Sequence, residues 1–175
     1  MNEQIKKIVF PIKNELDSFE LELEKIINSN NNFLDKELSS FIFDNPKRLR
    51  VILVFLFSKI LSINSPLTNQ IALALELTHS ASLVHDDIID NSFIRRKNPT
   101  FYKKFGSKAA VLIGDVFLTY ALEVLSKTNN EITKIFSNRI KKTLLGEIEQ
   151  NIYNYQDISE KIYLKKTFQK TGNLF

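Results

Sequence analysis

Apolar residues recur at helical spacing along most of the chain. Between Asn2 and Ile27 they fall at Ile5, Ile8, Val9, Ile12, Leu16, Phe19, Leu23, Ile26 and Ile27, which predicts an amphipathic helix ended by the polar run Asn28-Ser29-Asn30-Asn31-Asn32. A shorter helical segment is expected from Phe33 to Phe43. Pro46 then suits the first turn of a new helix, with Asn45 as its cap. Val51 to Leu61 is apolar nearly all round, so that helix is expected to be buried. Ser65-Pro66 opens the next, Pro66 to Asp90, in which Ile71, Leu73, Leu75, Leu77, Ala81, Leu83 and Val84 leave no polar stripe; it belongs inside a bundle. Asn91 to Thr100 reads as a loop, since Pro99 excludes helix, and Phe101 to Phe105 as a short turn. Gly106 introduces a helix from Ser107 to Lys127, a linker follows at Thr128-Asn129-Asn130, and helices are expected over Glu131 to Tyr155 and Ser159 to Gln169. No strand pattern, internal repeat or domain boundary interrupts this sequence of helices. The expected fold is all-α, a single bundle around one buried central helix.

Composition narrows the function. The 175 residues include no cysteine, which excludes disulfides and thiolate metal sites. The longest apolar run, Val51 to Phe57, is far short of the roughly 20 residues a bilayer crossing needs, so no transmembrane segment is expected. Met1 to Phe10 lacks the apolar core and small-residue site of a secretory signal, which favours a cytoplasmic location. A net charge of +4 is mild and spread over lysines interleaved with acids, so a nucleic-acid partner is not expected. The arginines differ from the lysines. Arg48, Arg50, Arg95 and Arg96 form two short clusters, concentrating the planar donors suited to bidentate contacts.

The chemistry-bearing stretch is His85-Asp86-Asp87-Ile88-Ile89-Asp90, with Arg95-Arg96 just beyond. Asp86 and Asp90, four residues apart, share a helix face with Asp87 beside them. Carboxylate oxygens with no thiol nearby suit Mg2+ held together with phosphates. The arginines would supply phosphate donors, or simply neutralise the acids in surface ion pairs. Three acids at a helix carboxyl end oppose the dipole, a conflict a metal site would explain. Lys47 and Arg50 at a helix start could converge on an anion, or be solvated charges. His79, two turns before Asp86 on nearly the same face, reads by itself as a core histidine. Asp115, a lone acid among Val111, Leu112, Ile113, Val116, Phe117 and Leu118, is either satisfied by a buried partner or part of the polar site.

Taken in order, the basic cluster, His79, Asp86-Asp87-x-x-Asp90, Arg95-Arg96, Gly114-Asp115 and Lys170-Thr171 resemble the trans-prenyltransferase family, the polyprenyl diphosphate synthases. The resemblance implies a helical bundle whose central cavity joins isopentenyl diphosphate head-to-tail to an allylic diphosphate. By that resemblance Asp86 and Asp90 hold Mg2+ on the allylic diphosphate, supported by Asp87. Arg95 binds the same diphosphate, and Lys170 with Thr171 approaches it from a later helix. Lys47, Arg50, His79 and Arg96 hold isopentenyl diphosphate, and Gln150 resembles a cavity-lining residue. Small residues at Ala81 and Ser82, below the aspartates, leave room for a growing chain and imply a longer, octaprenyl-like product. A homodimer or a complementing subunit is the implied assembly.

Two departures qualify the resemblance. The family's basic motif begins with glycines and ends in proline, whereas this chain reads Asn45-Pro46-Lys47-Arg48-Leu49-Arg50-Val51. No second aspartate-rich motif follows Lys170-Thr171, and Tyr155-Gln156-Asp157 to Glu160 does not replace it. These 175 residues are therefore expected to be an amino-terminal portion, inactive alone, with apolar faces left open on the last helices. The competing reading is a non-catalytic or split-gene partner of a prenyl synthase.

Overall fold

The computed structural model describes residues 7–29, 33–63 and 65–152, except the side chains of Gln150 and Asn151. Its backbone separates into two compact units, Met1–Lys127 and Thr128–Phe175. In the first unit, helical residues 7–9 lead into a 3-10 turn, Phe10–Ile12, and then α1 (Lys13–Ile27). The single helix expected here is broken because Pro11 has no N–H to donate, and Ile12 leaves helical geometry at φ −117 and ψ 18. Next come α2 (Asp35–Phe43) and α3 (Leu49–Ile60). The expected start of α3 at Pro46 is also corrected: Arg48 is the N-cap, in the left-handed region at φ 49, so Pro46 and Lys47 precede the helix. Nor is α3 buried all round. Val51, Ile52 and Phe55 face the core, whereas Leu49, Phe57 and Ile60 are exposed.

The central helix α4 (Pro66–Ile89) forms as its sequence predicts. Ser65 caps it by accepting a hydrogen bond from the Leu67 amide at 3.2 Å, and Pro66 occupies the first position, where a missing N–H costs nothing. Its most extensive neighbour is α5 (Phe101–Ser126), followed by α3. α5 is two helical pieces joined at Gly106, whose φ of 79 and ψ of 170 suit only glycine, so the turn expected at Phe101 to Phe105 is a first helical turn. By length and composition α5 could cross a bilayer, which the reading by apolar runs overlooked. Its residues Ala110, Ile113, Phe117, Tyr120 and Val124 instead lie in the core of the unit. Phe41 of α2 seats both pieces of α5, 5.1 Å from the Phe101 ring and 5.7 Å from that of Phe117. Phe19, Leu23, Leu38, Leu73, Leu77 and Phe117 are fully buried, each contributing about 1.5–3 kcal/mol.

The second unit carries α6 (Asn130–Ile152), capped by the Asn129 side chain, which accepts from the Ile132 amide at 2.8 Å. Ile135, Leu144, Leu145, Ile148 and Ile152 are exposed on it. The helix expected over Ser159 to Gln169 lies outside the described residues.

Candidate functional site

The end of α4 is shaped by its backbone hydrogen bonds. Asn91 adopts φ 51, its amide bonds the Ile88 carbonyl at 3.2 Å, and the Ser92 amide returns to the Asp87 carbonyl at 2.8 Å. This is a Schellman stop with asparagine in the left-handed position, and it satisfies carbonyls that would otherwise face the acids. The segment read as a loop then forms a two-stranded hairpin, β1 (Ile94–Arg95) against β2 (Asn98–Pro99). Arg96 and Lys97 at its tip both have positive φ, 49 and 72, as a type I′ turn requires. Pro99 is tolerated because the hairpin has only two strands, leaving its ring on an outer edge. Thr100 closes the base, its hydroxyl donating to the Ser92 carbonyl at 2.8 Å and its amide to the Phe93 carbonyl at 3.1 Å.

The hairpin presents its arginines from two anchor points. Arg95 Nε lies 3.0 Å from each Asp87 oxygen and Nη2 lies 2.9 Å from Oδ1, with the Asp87 side chain only 3% exposed. Arg96 donates to the Asp44 carbonyl at 3.0 Å, and the Asn98 side chain bonds the Asp44 carboxylate. Asp87 is thus spent on Arg95. Asp86 is half-buried and Asp90 exposed, one turn apart. Among the described residues no group of three or more acids and histidines could hold a metal. Two carboxylates fit a divalent cation that keeps waters and takes phosphate oxygens as its other ligands, which is the habit of Mg2+.

Arg50, Arg95 and Arg96 converge electrostatically on His79. Burial, then the charges of Arg50, Arg96 and Arg95, lower its pKa to about 4, so the imidazole is neutral at pH 7. Arg50 is itself half-buried, and burial lowers its pKa against the opposing pull of Glu76. Lys47 is exposed on the turn before α3. Arg48, between them, is 7% exposed and held by two acids that sequence reasoning missed. Nε and Nη2 donate to Glu20 at 2.8 and 2.9 Å, and Nη1 to Glu76 at 2.6 Å. A lone glutamate in the apolar run of α4 was the available signal, since a buried charge demands a partner.

The less buried residues of α4 include Ile71, Leu75, His79, Ser82 and Asp86, a stripe at steps of 4, 4, 3 and 4 residues. It grades from carboxylate through hydroxyl and imidazole to aliphatic side chains over about 22 Å. Ser82 is exposed and donates to the His79 carbonyl at 2.8 Å, whereas Ala81 is buried at 1% exposure. A cavity of about 100 Å³ lies on the adjoining flank, lined by Glu76, Ser80, Asp44 and the hairpin arginines. Asp115 is not buried: its side chain is 53% exposed and lies 3.6 Å from His85 Nε2. Gly114 is a close approach, since a Cβ there would overlap the His85 ring. Lys170 and Thr171, and the side chain of Gln150, lie outside the described residues.

The chain matches known proteins in sequence and in fold. The family model described as polyprenyl synthetase matches residues 31–175. A prenyl transferase of Cyanophora paradoxa is 34% identical over 97% of this chain and 54% of its own length. Heptaprenyl diphosphate synthase component 2 of Bacillus subtilis is 32% identical over 93% of this chain and 47% of its own. In three dimensions the chain resembles the heptaprenyl diphosphate synthase of Staphylococcus aureus, with a TM-score of 0.85 and 34% identity over 93% of this chain and 52% of that one. The chain spans about half the length of the curated relatives it matches. With a fold of the all-α class and a family match over residues 31–175, the chain belongs to the polyprenyl synthetase family.

Proposed function

We propose that this chain is the amino-terminal part of a polyprenyl diphosphate synthase, which condenses isopentenyl diphosphate with an allylic diphosphate. The observation that carries the reading is the stripe on α4, with a pair of carboxylates at one end, guanidiniums and a neutral imidazole beside it, and aliphatic side chains below. A diphosphate fits the first end and a hydrocarbon chain the second. Asp86 and Asp90 would hold Mg2+ on the allylic diphosphate; bound there, the ion would offset the charge that builds on the leaving group. Asp87 orients Arg95 toward that diphosphate. Lys47, Arg50 and Arg96 would bind isopentenyl diphosphate, with neutral His79 offering a hydrogen bond without adding a fourth charge to the arginines. Lys170 and Thr171 would bind the allylic diphosphate and Gln150 would line the cavity, residues 31–175 belonging to one prenyltransferase domain, as the family match supports. Ser82, with Ala81 beside it, leaves the stripe open below the aspartates, so we assign a medium to long product of the octaprenyl kind.

Turnover would need the remainder of the bundle, supplied by a longer chain, a second copy or a complementing subunit. The relative named component 2 of a heptaprenyl synthase, of which this chain covers 47%, favours the first, and its name adds a complementing subunit as a partner. The test is titration of the chain with an allylic diphosphate, with and without Mg2+, beside an Asp86→Ala/Asp90→Ala variant. Metal-dependent binding lost in the variant is expected. Binding indifferent to both metal and variant would refute the catalytic half-site and leave the partner-subunit reading.

A further inference from the structure

Arg48 lies inside the basic segment yet is turned into the protein, 7% exposed. All three guanidinium nitrogens donate to carboxylates, and its central carbon lies 5.6 Å from the centroids of both the Phe19 and Phe43 rings. Opposing burial, the Glu20 hydrogen bond and the Glu76 and Glu20 charges raise its pKa, so it remains a cation. Three of its five N–H groups are taken by carboxylates and its side chain is only 6% exposed, so the guanidinium is closed to a phosphate arriving from solvent. What it joins is informative. Glu20 and Phe19 belong to α1, Phe43 to α2, and Glu76 to α4, one turn before His79. Arg48 itself is the N-cap of α3, and its carbonyl accepts the helix's first hydrogen bond from the Ile52 amide at 2.8 Å. Its left-handed backbone is unfavourable for a residue with a Cβ and must be held by surrounding contacts. Buried ion pairs of this kind contribute little net stability and are best attested as devices that fix register.

We propose that Arg48 is a positioning residue: its clamp between Glu20 and Glu76 sets where Lys47 and Arg50 stand relative to His79. This rests on the diphosphate reading for its consequence, but the geometry can be tested without a substrate. The chain has only two histidines, so the His79 ring can be followed by NMR titration. Burial, then the charges of Arg50, Arg96 and Arg95, hold its pKa down, while the Glu76 charge acts on Arg50. Replacing Glu20 on α1 removes a negative charge, which by itself can only lower the His79 pKa. Release of the clamp instead lets Arg50 drift from His79 and raises it. The two effects have opposite signs.

The experiment compares Glu20→Leu with Ile27→Val, a core change on the same helix, reading both the His79 titration and the Kd for isopentenyl diphosphate. The expected result for Glu20→Leu is a His79 pKa higher by about one unit and binding weaker by about tenfold, with neither change in Ile27→Val. Glu20→Gln keeps the shape and one acceptor, so it preserves the measurement if the leucine variant does not fold, and should shift His79 upward by less. A His79 pKa that stays or falls, or an equal rise in Ile27→Val, overturns the proposal. Failure of the parent chain to bind isopentenyl diphosphate counts against the functional reading alone, because the titration still decides the role of Arg48.

Discussion

The bond network between Asp87 and Arg95 can be measured as a coupling energy. Asp87 is enclosed, its side chain 3% exposed, while Arg95 is 30% exposed, so the two halves of the pair should not be equivalent. Replacing Arg95 by methionine leaves a buried carboxylate without its cation, a change that costs about 3–5 kcal/mol when both groups are enclosed. Solvent reaching the arginine side lowers the expected cost to about 3 kcal/mol. Asp87→Asn keeps one acceptor and lets the arginine turn toward water, which sets its cost near the lower limit for charged hydrogen bonds, about 1.5 kcal/mol. In the double variant no orphaned charge remains, only a buried amide. Its cost should fall short of the sum of the single variants by about 2 kcal/mol. Urea unfolding of the four proteins, followed by far-ultraviolet circular dichroism, gives the cycle directly. A coupling below about 0.5 kcal/mol would refute the pairing and return Asp87 to the pool of metal-ligand candidates.

Two further outcomes follow from single residues. His79 binds fewer protons in the folded chain than in the unfolded one between pH 6.5 and about 4, so stability should rise with pH across that window and be lost as pH falls through it. The full difference is about 3 kcal/mol, and a His79→Gln variant measured by unfolding at pH 4 and pH 7 should lack it. Gly106→Ala meets no atom within 4 Å, so its cost should be that of the backbone conformation alone, about 1–3 kcal/mol by thermal unfolding; a neutral result would mean that the kink is not held.

What the sequence revealed and what it hid divide along the range of the interactions. The limits of α4 were legible because Ser65 and Pro66 act locally and the apolar run is unbroken. The expectation that Arg50, His79 and Arg96 hold one diphosphate and Arg95 the other came through the family resemblance; that burial and all three arginines act on the His79 imidazole is legible only in the structure. The start of α3 was misread because Pro46 is locally suited to a helix, while the true boundary is set by Arg48. Both partners of that residue lie 28 positions away, beyond any helical period. The hairpin was invisible for another reason: its turn is Arg96-Lys97, with none of the glycine or asparagine that normally announces positive φ. Tertiary anchoring to Asp44 and Asp87 forces what local preference would not choose.

The stripe on α4 has a consequence for how such a chain can change over time. Its polar head and aliphatic tail are printed on one rigid rod, so their spacing comes in helical steps. Inserting or deleting one residue between Ile71 and Asp86 would turn everything beyond it by about 100° and carry the carboxylates off the shared face. Substitution is the only gradual route: bulk at Ile71, Leu75 or Ser82 can vary one position at a time while Asp86 stays fixed. Changes in length are confined to the joints, such as Leu61 to Ser65 ahead of the helix, where an added residue leaves the order of side chains along the rod untouched.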